Sequence, residues 1–340
     1  MIVDAQTMKR ARPALRKAVS KYLFDRNVSM IDFGYPEHFG QIAEDELAIR
    51  IHVQKKLSGP QLEVAAERGF TEPIPETIDG FPTDVPEGIY RTQLFWGWRT
   101  ANPRAVRSDP MRGGISISNA RHHTYATLGA LVRDRTTGED MILSNWHVLA
   151  GSWSAQPGLG ILQPGRLDGG SSADTVASLA RDGMAVNLDA AVATLTGTRR
   201  LINDQMELGP VKGLTEPVLG MNVAKSGRRT EITRGRVTAI EGVVRLRYDW
   251  VERLIRNVIT IEPHSPFEET SRGGDSGSTW MNEESSEAVG LHFAGSDFPE
   301  RALAMDMRAV LDALAVNLVT EVEPIRLFVT AMRARELAPA

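Results

Sequence analysis

The stretch that organises this sequence is Arg272-Gly273-Gly274-Asp275-Ser276-Gly277-Ser278. A serine with Gly-Asp before it and glycine after it fits a tight turn whose backbone N–H groups point into an open cleft. Such groups stabilise the negative oxygen that forms during acyl transfer by several kcal/mol. The alternative is a glycine-rich surface loop, because short motifs also occur by chance. Segments upstream decide between the two.

Composition limits the classes of function that the chain can have. It has 340 residues, of which 42% are hydrophobic and 24% charged, and its formal net charge is -4. This is a globular composition, long enough for more than one domain. It lacks the sustained basic block of a protein that binds nucleic acid through phosphates. The absence of cysteine excludes disulfides, cysteine-liganded zinc and a cysteine nucleophile.

The two ends of the sequence bear on location and assembly. Residues 1–20 carry scattered lysines and arginines without the apolar core of a secretory signal. No apolar run of about 18 residues predicts a membrane span. We therefore expect a cytoplasmic protein that binds neither membranes nor nucleic acid. The tail, residues 321–340, contains apolar side chains suited to docking on a neighbour, which is compatible with a homo-oligomer.

The first 92 residues predict a small α/β domain. Apolar residues recur at helical spacing over residues 4–24, and residues 46–54 alternate like a half-buried strand. A short helix is expected over residues 61–68. Residues 93–112, which include a stretch rich in proline and arginine, are expected to form a linker.

From residue 113 the pattern changes to short strands separated by turns. Residues 133–138 have the composition of a hairpin turn, and strand-like runs continue to about residue 261. Regularly spaced strands without intervening helices predict a β-barrel or a pair of barrels. A C-terminal helix is expected over residues 306–318. The predicted fold is therefore mainly β, with a barrel domain over residues 113–320.

Two further segments supply a candidate base and a candidate acid. A buried strand at residues 141–144 runs almost directly into His147, and Asp189 lies among apolar residues at the start of another strand. A buried carboxylate is costly unless it is hydrogen-bonded. An imidazole N–H that donates to it fixes the histidine tautomer and stabilises the imidazolium. His147 would then act as a base toward Ser276 and as an acid toward a leaving amine.

Taken in order, these segments resemble those of the trypsin-like (chymotrypsin-fold) serine proteases. Residues 143–148 resemble the catalytic histidine segment, notably of bacterial and HtrA-type members. Residues 188–192 resemble the aspartate segment, and residues 274–277 match the nucleophile segment. The resemblance covers about residues 114–318 and implies a double β-barrel. The order His, Asp, Ser also differs from that of an α/β-hydrolase.

A second resemblance concerns residues 1–92. They are similar to the α/β N-terminal region of bacterial trypsin-like peptidases and of NARROW LEAF 1-like peptidases. Residues 49–56 and 75–85 carry this similarity. It implies a protease domain preceded by an added N-terminal unit.

The resemblance to trypsin-like proteases also implies how the Ser276 loop works. The oxyanion hole would consist of the backbone N–H groups of Gly274 and Ser276. In zymogen-activated members, the aspartate at the position of Asp275 pairs with a new N-terminus. Because a long extension precedes this domain, we expect an arginine or backbone donors to hold Asp275 in a site that is already folded.

The strand at residues 289–295 resembles the lining of the first specificity pocket. Its Gly-x-His pattern is similar to that of glutamate-specific bacterial proteases and picornaviral proteases, whose histidine contacts a glutamate or glutamine side chain. His292 would take this role, with Phe293 and Gly295 on the same strand and Thr270 on the opposite wall. The alternative is that His292 is packed and turned away from the pocket.

Residues and resemblance together predict a serine endopeptidase. Ser276 would attack the peptide carbonyl, His147 would transfer the proton and Asp189 would orient His147. The partners would be protein or peptide substrates, and neither a metal nor an organic cofactor would be needed. Two alternatives stay open: an inactive scaffold or chaperone-like relative, and a latent protease controlled by its N-terminal region or by assembly.

One further motif, residues 220–226, is close to a phosphate-binding loop. Ala224 occupies the place of the second glycine that such a loop requires, and the surrounding pattern is that of strands. We therefore expect no phosphate site there.

Overall fold

The computed structural model describes residues 3–93 and 102–322. Residues 94–101 of the predicted linker and residues 323–340 of the predicted tail lie outside the described residues, so the docking role expected for the tail stays a prediction. Within the described ranges, no helix is both long enough and apolar enough to cross a membrane.

A helix covers one face of a small sheet in the N-terminal region. Asp4 caps this helix, because its carboxylate accepts a hydrogen bond from the Thr7 N–H at 2.8 Å. The buried side of the helix packs on apolar strand residues such as Ile31 and Ile49. The elements of this region are α1 (Ala5–Tyr22), β1 (Val28–Gly34), β2 (Glu37–His38), β3 (Gln41–Ile42), β4 (Ala48–Val53), α2 (Gly59–Glu67), β5 (Thr77–Ile78), β6 (Phe81–Asp84) and β7 (Arg91–Thr92).

The first barrel is built on an eight-stranded sheet. Its region contains β8 (Met111–Gly113), β9 (Ser116–Asn119), β10 (Ala126–Thr127), β11 (Ala130–Asp134), β12 (Asp140–Ser144), α3 (Trp146–Leu149), β13 (Gly160–Leu162), β14 (Thr175–Asp182), β15 (Ala191–Leu195), β16 (Leu201–Gln205) and, from the C-terminal end, β24 (Val316–Leu318). The strand order is β10, β9, β13, β14, β15, β12, β11, β24. The predicted hairpin turn is present, since Asp134 accepts hydrogen bonds from the N–H groups of Thr136 and Thr137.

The second barrel is a closed ring of six strands. Its region contains β17 (Gly213–Leu214), β18 (Asn222–Gly227), β19 (Glu231–Tyr248), β20 (Val251–Glu262), β21 (Thr279–Asn282), β22 (Glu287–Asp297), β23 (Glu300–Asp306) and α4 (Met307–Ala313). Each strand of the ring β18, β21, β22, β23, β20, β19 pairs with the next, and β19 pairs with β18 again. The ring has no free edge along this path, which is how a barrel removes unpaired backbone groups. The remaining helices are short 3₁₀ turns at Pro103–Ala105, Arg166–Asp168, Ser172–Asp174 and Met184–Val186.

The N-terminal sheet is continuous with the second barrel. β1 pairs antiparallel with both β19 and β4, so that Met30 lies opposite Val244 on one side and His52 on the other. Buried polar contacts cross the same junction: Arg50 donates two hydrogen bonds of 2.8 Å to Asp32, and the Thr260 hydroxyl donates a third of 2.7 Å. The domain boundaries expected at residues 92, 112 and 320 stay predictions.

The predicted fold class is confirmed. The chain is mainly β with two barrels in the chymotrypsin-like arrangement, preceded by a small α/β region and followed by a C-terminal helix. Two details of the prediction are wrong. β4 is buried on both faces, because the polar network around Asp32 covers the side expected to face solvent. The last helix ends at Ala313, since Ala315 has a left-handed backbone (φ 50°), and Val316–Leu318 form a strand beside β11.

Candidate active site

Strand pairing brings His147 and Asp189 together. β12 ends at Ser144, and His147 lies in the first turn of α3. β15 begins at Ala191, which lies opposite Ser144 in the antiparallel ladder. The residues that follow β12 therefore meet the residues that precede β15.

The His147 ring and the Asp189 carboxylate form a buried hydrogen-bonded pair. Nδ1 of His147 lies 2.5 Å from Oδ2 of Asp189, and the His147 backbone N–H donates to Oδ1 at 3.0 Å. The Tyr248 hydroxyl also donates to Oδ2, at 2.8 Å, and burial followed by the Asp189 charge raises the pKa of Tyr248 well above its usual range. Because Asp189 accepts the Nδ1 proton, Nε2 of His147 is left as the basic nitrogen.

Two glycines give the Ser276 loop (residues 272–278) its shape. Gly274 (φ 113°) and Gly277 (φ 95°) both have backbone angles that other residues rarely adopt. A Cβ at Gly274 would lie only 2.4 Å from the Tyr125 ring. The loop is anchored by the Ser276 carbonyl, which accepts from the Thr127 N–H at 2.9 Å, and by its neighbours on β22.

The reactive atoms expected from the sequence are both buried. Ser276 is 0% exposed and His147 is 5% exposed. Within residues 3–93 and 102–322, neither Oγ of Ser276 nor Nε2 of His147 has a hydrogen-bond partner. A buried polar group without a partner is rare in a native protein and is common where a substrate or reacting atom completes the bonding.

Asp275 is held beneath the loop by a lysine and by backbone donors. Nζ of Lys225 lies 3.1 Å from Oδ2, and the Thr230 hydroxyl donates to the same oxygen at 2.7 Å. The backbone N–H groups of Arg229, Thr230 and Arg272 complete the set. Burial alone would raise the pKa of Asp275, but the Lys225 cation and these hydrogen bonds outweigh it and lower the pKa to about 2. The sequence had suggested an arginine or backbone donors: the backbone donors are present, and the cation is a lysine.

His292 faces the side chain of Gln93. Its Nε2 lies 2.6 Å from Oε1 of Gln93, and on the other side the indole N–H of Trp280 points at Nδ1, 3.4 Å away. Burial, with the nearby Lys225 cation, lowers the pKa of His292 to about 3, so the ring is neutral at pH 7. An indole nitrogen can only donate. Nδ1 is therefore the acceptor, and Nε2 carries the proton that is donated to Gln93.

The backbone of Gln93 is also held at the site. Its carbonyl accepts a hydrogen bond of 2.6 Å from the Gly274 N–H, one of the two groups expected to form the oxyanion hole. Its own N–H donates to the Phe293 carbonyl at 3.3 Å. β7 continues the contact, because Thr92 lies opposite Ala294 in an antiparallel ladder with β22.

The other residues expected in the specificity pocket lie on two sides of this contact. A Cβ at Gly295 would lie 2.4 Å from the amide nitrogen of Gln93, so the absent side chain makes room for the glutamine. The Thr270 hydroxyl donates to Glu300 at 2.6 Å, and Thr270 is completely buried. The role expected for Thr270 on the opposite wall and the second oxyanion donor, the Ser276 N–H, stay predictions.

Comparison with known proteins finds similarity only to solved structures. No family model matches the chain, and no curated protein matches it. Protease A of Thermobifida fusca is 17% identical with a TM-score of 0.47, over 62% of this chain and 99% of that one. The chain is similar to bacterial chymotrypsin-fold serine proteases. The chymotrypsin of Cellulomonas bogoriensis (18%, TM-score 0.46, 63% and 100%) and a glutamic acid-specific serine protease that uses a histidine triad in substrate binding (21%, 0.45, 62% and 100%) are further examples.

Sequence reasoning missed three residues of the site. Tyr248 supports Asp189, Lys225 supports Asp275 and Gln93 contacts His292. Lys225 had a usable signal, because a lone lysine within a strand-like run of small and apolar residues needs a buried partner. Gln93 had one too, since a glutamine lies in the expected linker of a protein expected to recognise glutamate or glutamine.

Proposed function

We propose that this protein is a serine endopeptidase. Ser276 is the nucleophile, His147 takes and returns the proton, and Asp189 orients His147 through the 2.5 Å contact with Nδ1. That contact is the observation on which the proposal rests most, because it leaves Nε2 as the base. Oγ of Ser276 and Nε2 of His147 are both buried without a hydrogen-bond partner, so they are not bonded to each other in this structure and must approach for proton transfer.

The electrostatics of the pair favour proton transfer. Asp189 is completely buried and accepts three hydrogen bonds from donors of the chain, which keeps the carboxylate a fixed acceptor. An imidazolium that forms at His147 is then stabilised at the moment of attack, as general-base catalysis requires. The reaction uses acyl transfer to Ser276 followed by hydrolysis of the acyl-enzyme.

The substrate preference that the site supports best is glutamine before the scissile bond. A neutral His292 with its proton on Nε2 donates to an amide oxygen, and Gln93 occupies that place. A glutamate would bring an ionised carboxylate into a buried site with a neutral partner, which is unfavourable. The substrate class is therefore a protein or peptide with glutamine at this position, with glutamate second.

A fluorophosphonate probe tests the nucleophile. We expect wild type to be labelled and Ser276→Ala to be unlabelled, because only an activated serine reacts. Ser172→Ala is the matched control, since Ser172 is exposed and lies in the 3₁₀ turn Ser172–Asp174, outside the segments that carry His147, Asp189 and Ser276. Because Gln93 contacts the site, the same labelling is measured in a Gln93→Gly background, where the side chain is absent.

The outcomes of this experiment separate the proposal from the inactive scaffold considered above. Labelling that disappears only in Ser276→Ala supports the peptidase. Equal labelling of wild type and Ser276→Ala, or absence of labelling in both the wild-type and Gln93→Gly backgrounds, contradicts it. The assignment is complete if the wild-type preparation hydrolyses a glutamine peptide before treatment with the probe and loses this activity after treatment.

A further inference from the structure

Residues 91–93 lie along β22 as a peptide substrate would lie along a protease strand. Arg91 is opposite Gly295 and Thr92 is opposite Ala294 in an antiparallel ladder. A peptide that adds a strand to an exposed sheet segment gains affinity from main-chain hydrogen bonds and specificity from side-chain pockets. The chain thus places one of its own segments where a separate peptide would bind.

The carbonyl group of Gln93 lies against the Ser276 loop. It accepts the 2.6 Å hydrogen bond from the Gly274 N–H, and Gly274 is two residues from Ser276. A donor at that distance from a carbonyl oxygen is positioned to stabilise the oxyanion that attack would generate. The N–H of the same residue donates to Phe293, so the peptide unit is fixed from both sides.

The side chain of Gln93 lies in the expected specificity pocket, beside His292 and Gly295. Gln93 is 7% exposed, its amide oxygen accepts from His292, and its amide nitrogen lies over Gly295. Main-chain register, carbonyl position and side-chain recognition are three separate observations, and all three select Gln93 as the acyl donor.

We propose that the protein cleaves its own chain after Gln93, an inference that rests on the proposed peptidase function. Oγ of Ser276 bonds to the carbonyl carbon of Gln93 while His147 takes the hydroxyl proton. The carbon–nitrogen bond to Leu94 breaks, and His147 returns the proton to the leaving amine. Water then hydrolyses the Gln93 ester, which restores Ser276 and leaves a carboxylate on Gln93.

The two products stay together. β1, in the N-terminal product, is hydrogen-bonded to β19, in the C-terminal product, and the buried Asp32 carboxylate accepts a hydrogen bond from Thr260 across the same junction. The short β7 is the part of the N-terminal region that occupies the groove. Cleavage removes the covalent restraint that follows Gln93, so β7 can leave and the groove becomes available to other peptides.

Intact-mass measurement under denaturing conditions tests the cleavage. We expect wild type to convert into two chains, one ending at Gln93 and one beginning at Leu94, whose masses sum to that of the full chain plus one water. Ser276→Ala is expected to remain one chain. Under native conditions the two wild-type chains should elute together, and the rate should not depend on protein concentration, because the reaction is intramolecular.

Substitution at Gln93 tests the recognition. Gln93→Leu removes the amide and leaves Nε2 of His292 without its acceptor, so cleavage should slow by roughly 10- to 100-fold. Gln156→Leu is the matched control, because Gln156 is exposed, and it should cleave at the wild-type rate. Equal rates for Gln93→Leu and wild type would overturn the assignment of Gln93.

Failure of this inference is distinguishable from failure of the proposed function. If the probe labels Ser276 while the wild-type chain stays uncut, the peptidase stands and self-cleavage is overturned. If cleavage after Gln93 occurs equally in Ser276→Ala, another protease is responsible and the inference is again overturned. If Ser276 is not labelled even in the Gln93→Gly background, the function itself is contradicted.

Discussion

Nζ of Lys225 lies 3.1 Å from Oδ2 of Asp275, and both side chains are completely buried. Lys225 comes from β18, so the cation that balances Asp275 is part of the folded barrel. In the zymogen-activated proteases that the sequence resembles, the cation paired with the corresponding aspartate is a newly formed N-terminus. The Ser276 loop therefore has its counter-ion before any cleavage, and self-cleavage would free the groove without being needed to shape the loop.

Lys225→Met should destabilise the protein and inactivate the site. The substitution leaves the Asp275 carboxylate buried without its cation, a change that typically costs about 3–5 kcal/mol of unfolding free energy. Chemical denaturation measures the stability, and probe labelling of Ser276 measures the site. Lys212→Met is the control, because Lys212 is exposed and should change neither value. Wild-type stability and labelling in Lys225→Met would contradict the role given to Lys225.

The low pKa of Asp275 leads us to expect a loss of stability in acid. The pKa of Asp275 is about 2 in the folded protein, below the roughly 3.9 of an unfolded chain. This stabilisation is complete above the unfolded value and disappears as the pH falls through the folded one, and it amounts to about 2–3 kcal/mol. Denaturation between about pH 5 and about pH 2 should show a smaller change in Asp275→Asn than in wild type. An unchanged slope in that variant, with Asp45→Asn as the surface control, would refute the assignment.

The segments that carry the proposed triad can be read from the sequence because each is local. A strand end followed by His147, an aspartate among apolar residues and a glycine-flanked serine all lie within a few residues of chain. Their positions relative to one another then follow from β12 pairing with β15 and from the Ser276 loop lying against β22. Local pattern and barrel topology together account for most of the candidate site.

The supporting residues cannot be read in this way because their contacts are distant in the chain. Lys225 and Asp275 are separated by 50 residues, and Gln93 and His292 by 199. The prediction that β4 is half-buried was wrong for a related reason. Arg50, on β4, forms a buried ion pair with Asp32, so the polar face of the strand is buried as well. Alternation of polar and apolar residues shows that the two faces of a strand differ, but it does not show that the polar face is exposed to solvent.

Tyr248→Phe should slow catalysis without weakening substrate binding. The Tyr248 hydroxyl donates to Oδ2 of Asp189, the oxygen that also accepts the hydrogen bond from Nδ1 of His147. Loss of one hydrogen bond to a charged group lowers kcat by roughly tenfold or more while KM is retained. Steady-state kinetics on a glutamine peptide in the Gln93→Gly background separate the two. A rise in KM alone would argue against a role of Tyr248 in positioning Asp189. Tyr22→Phe, in the N-terminal region, is the matched control.

His292 predicts a specific order of substrates and a specific dependence on pH. Because its pKa is about 3, His292 is neutral at pH 7 and offers one proton from Nε2. A glutamine peptide should therefore be cleaved with a kcat/KM at least about tenfold higher than the matching glutamate peptide, whose carboxylate would be buried against a neutral ring. As the pH falls toward the glutamate pKa of about 4.3, the substrate becomes neutral and the gap should narrow.

Peptide pairs that differ only in this residue measure the effect in the Gln93→Gly background. His292→Leu removes the donor, so the preference for glutamine over glutamate and over leucine should largely disappear, whereas His264→Leu, at an exposed histidine, should leave it intact. A glutamate preference at pH 7 would mean that the ring is protonated when substrate is bound. That result would contradict the neutral tautomer inferred from Trp280, and with it the physical reason for which Gln93 fits the pocket.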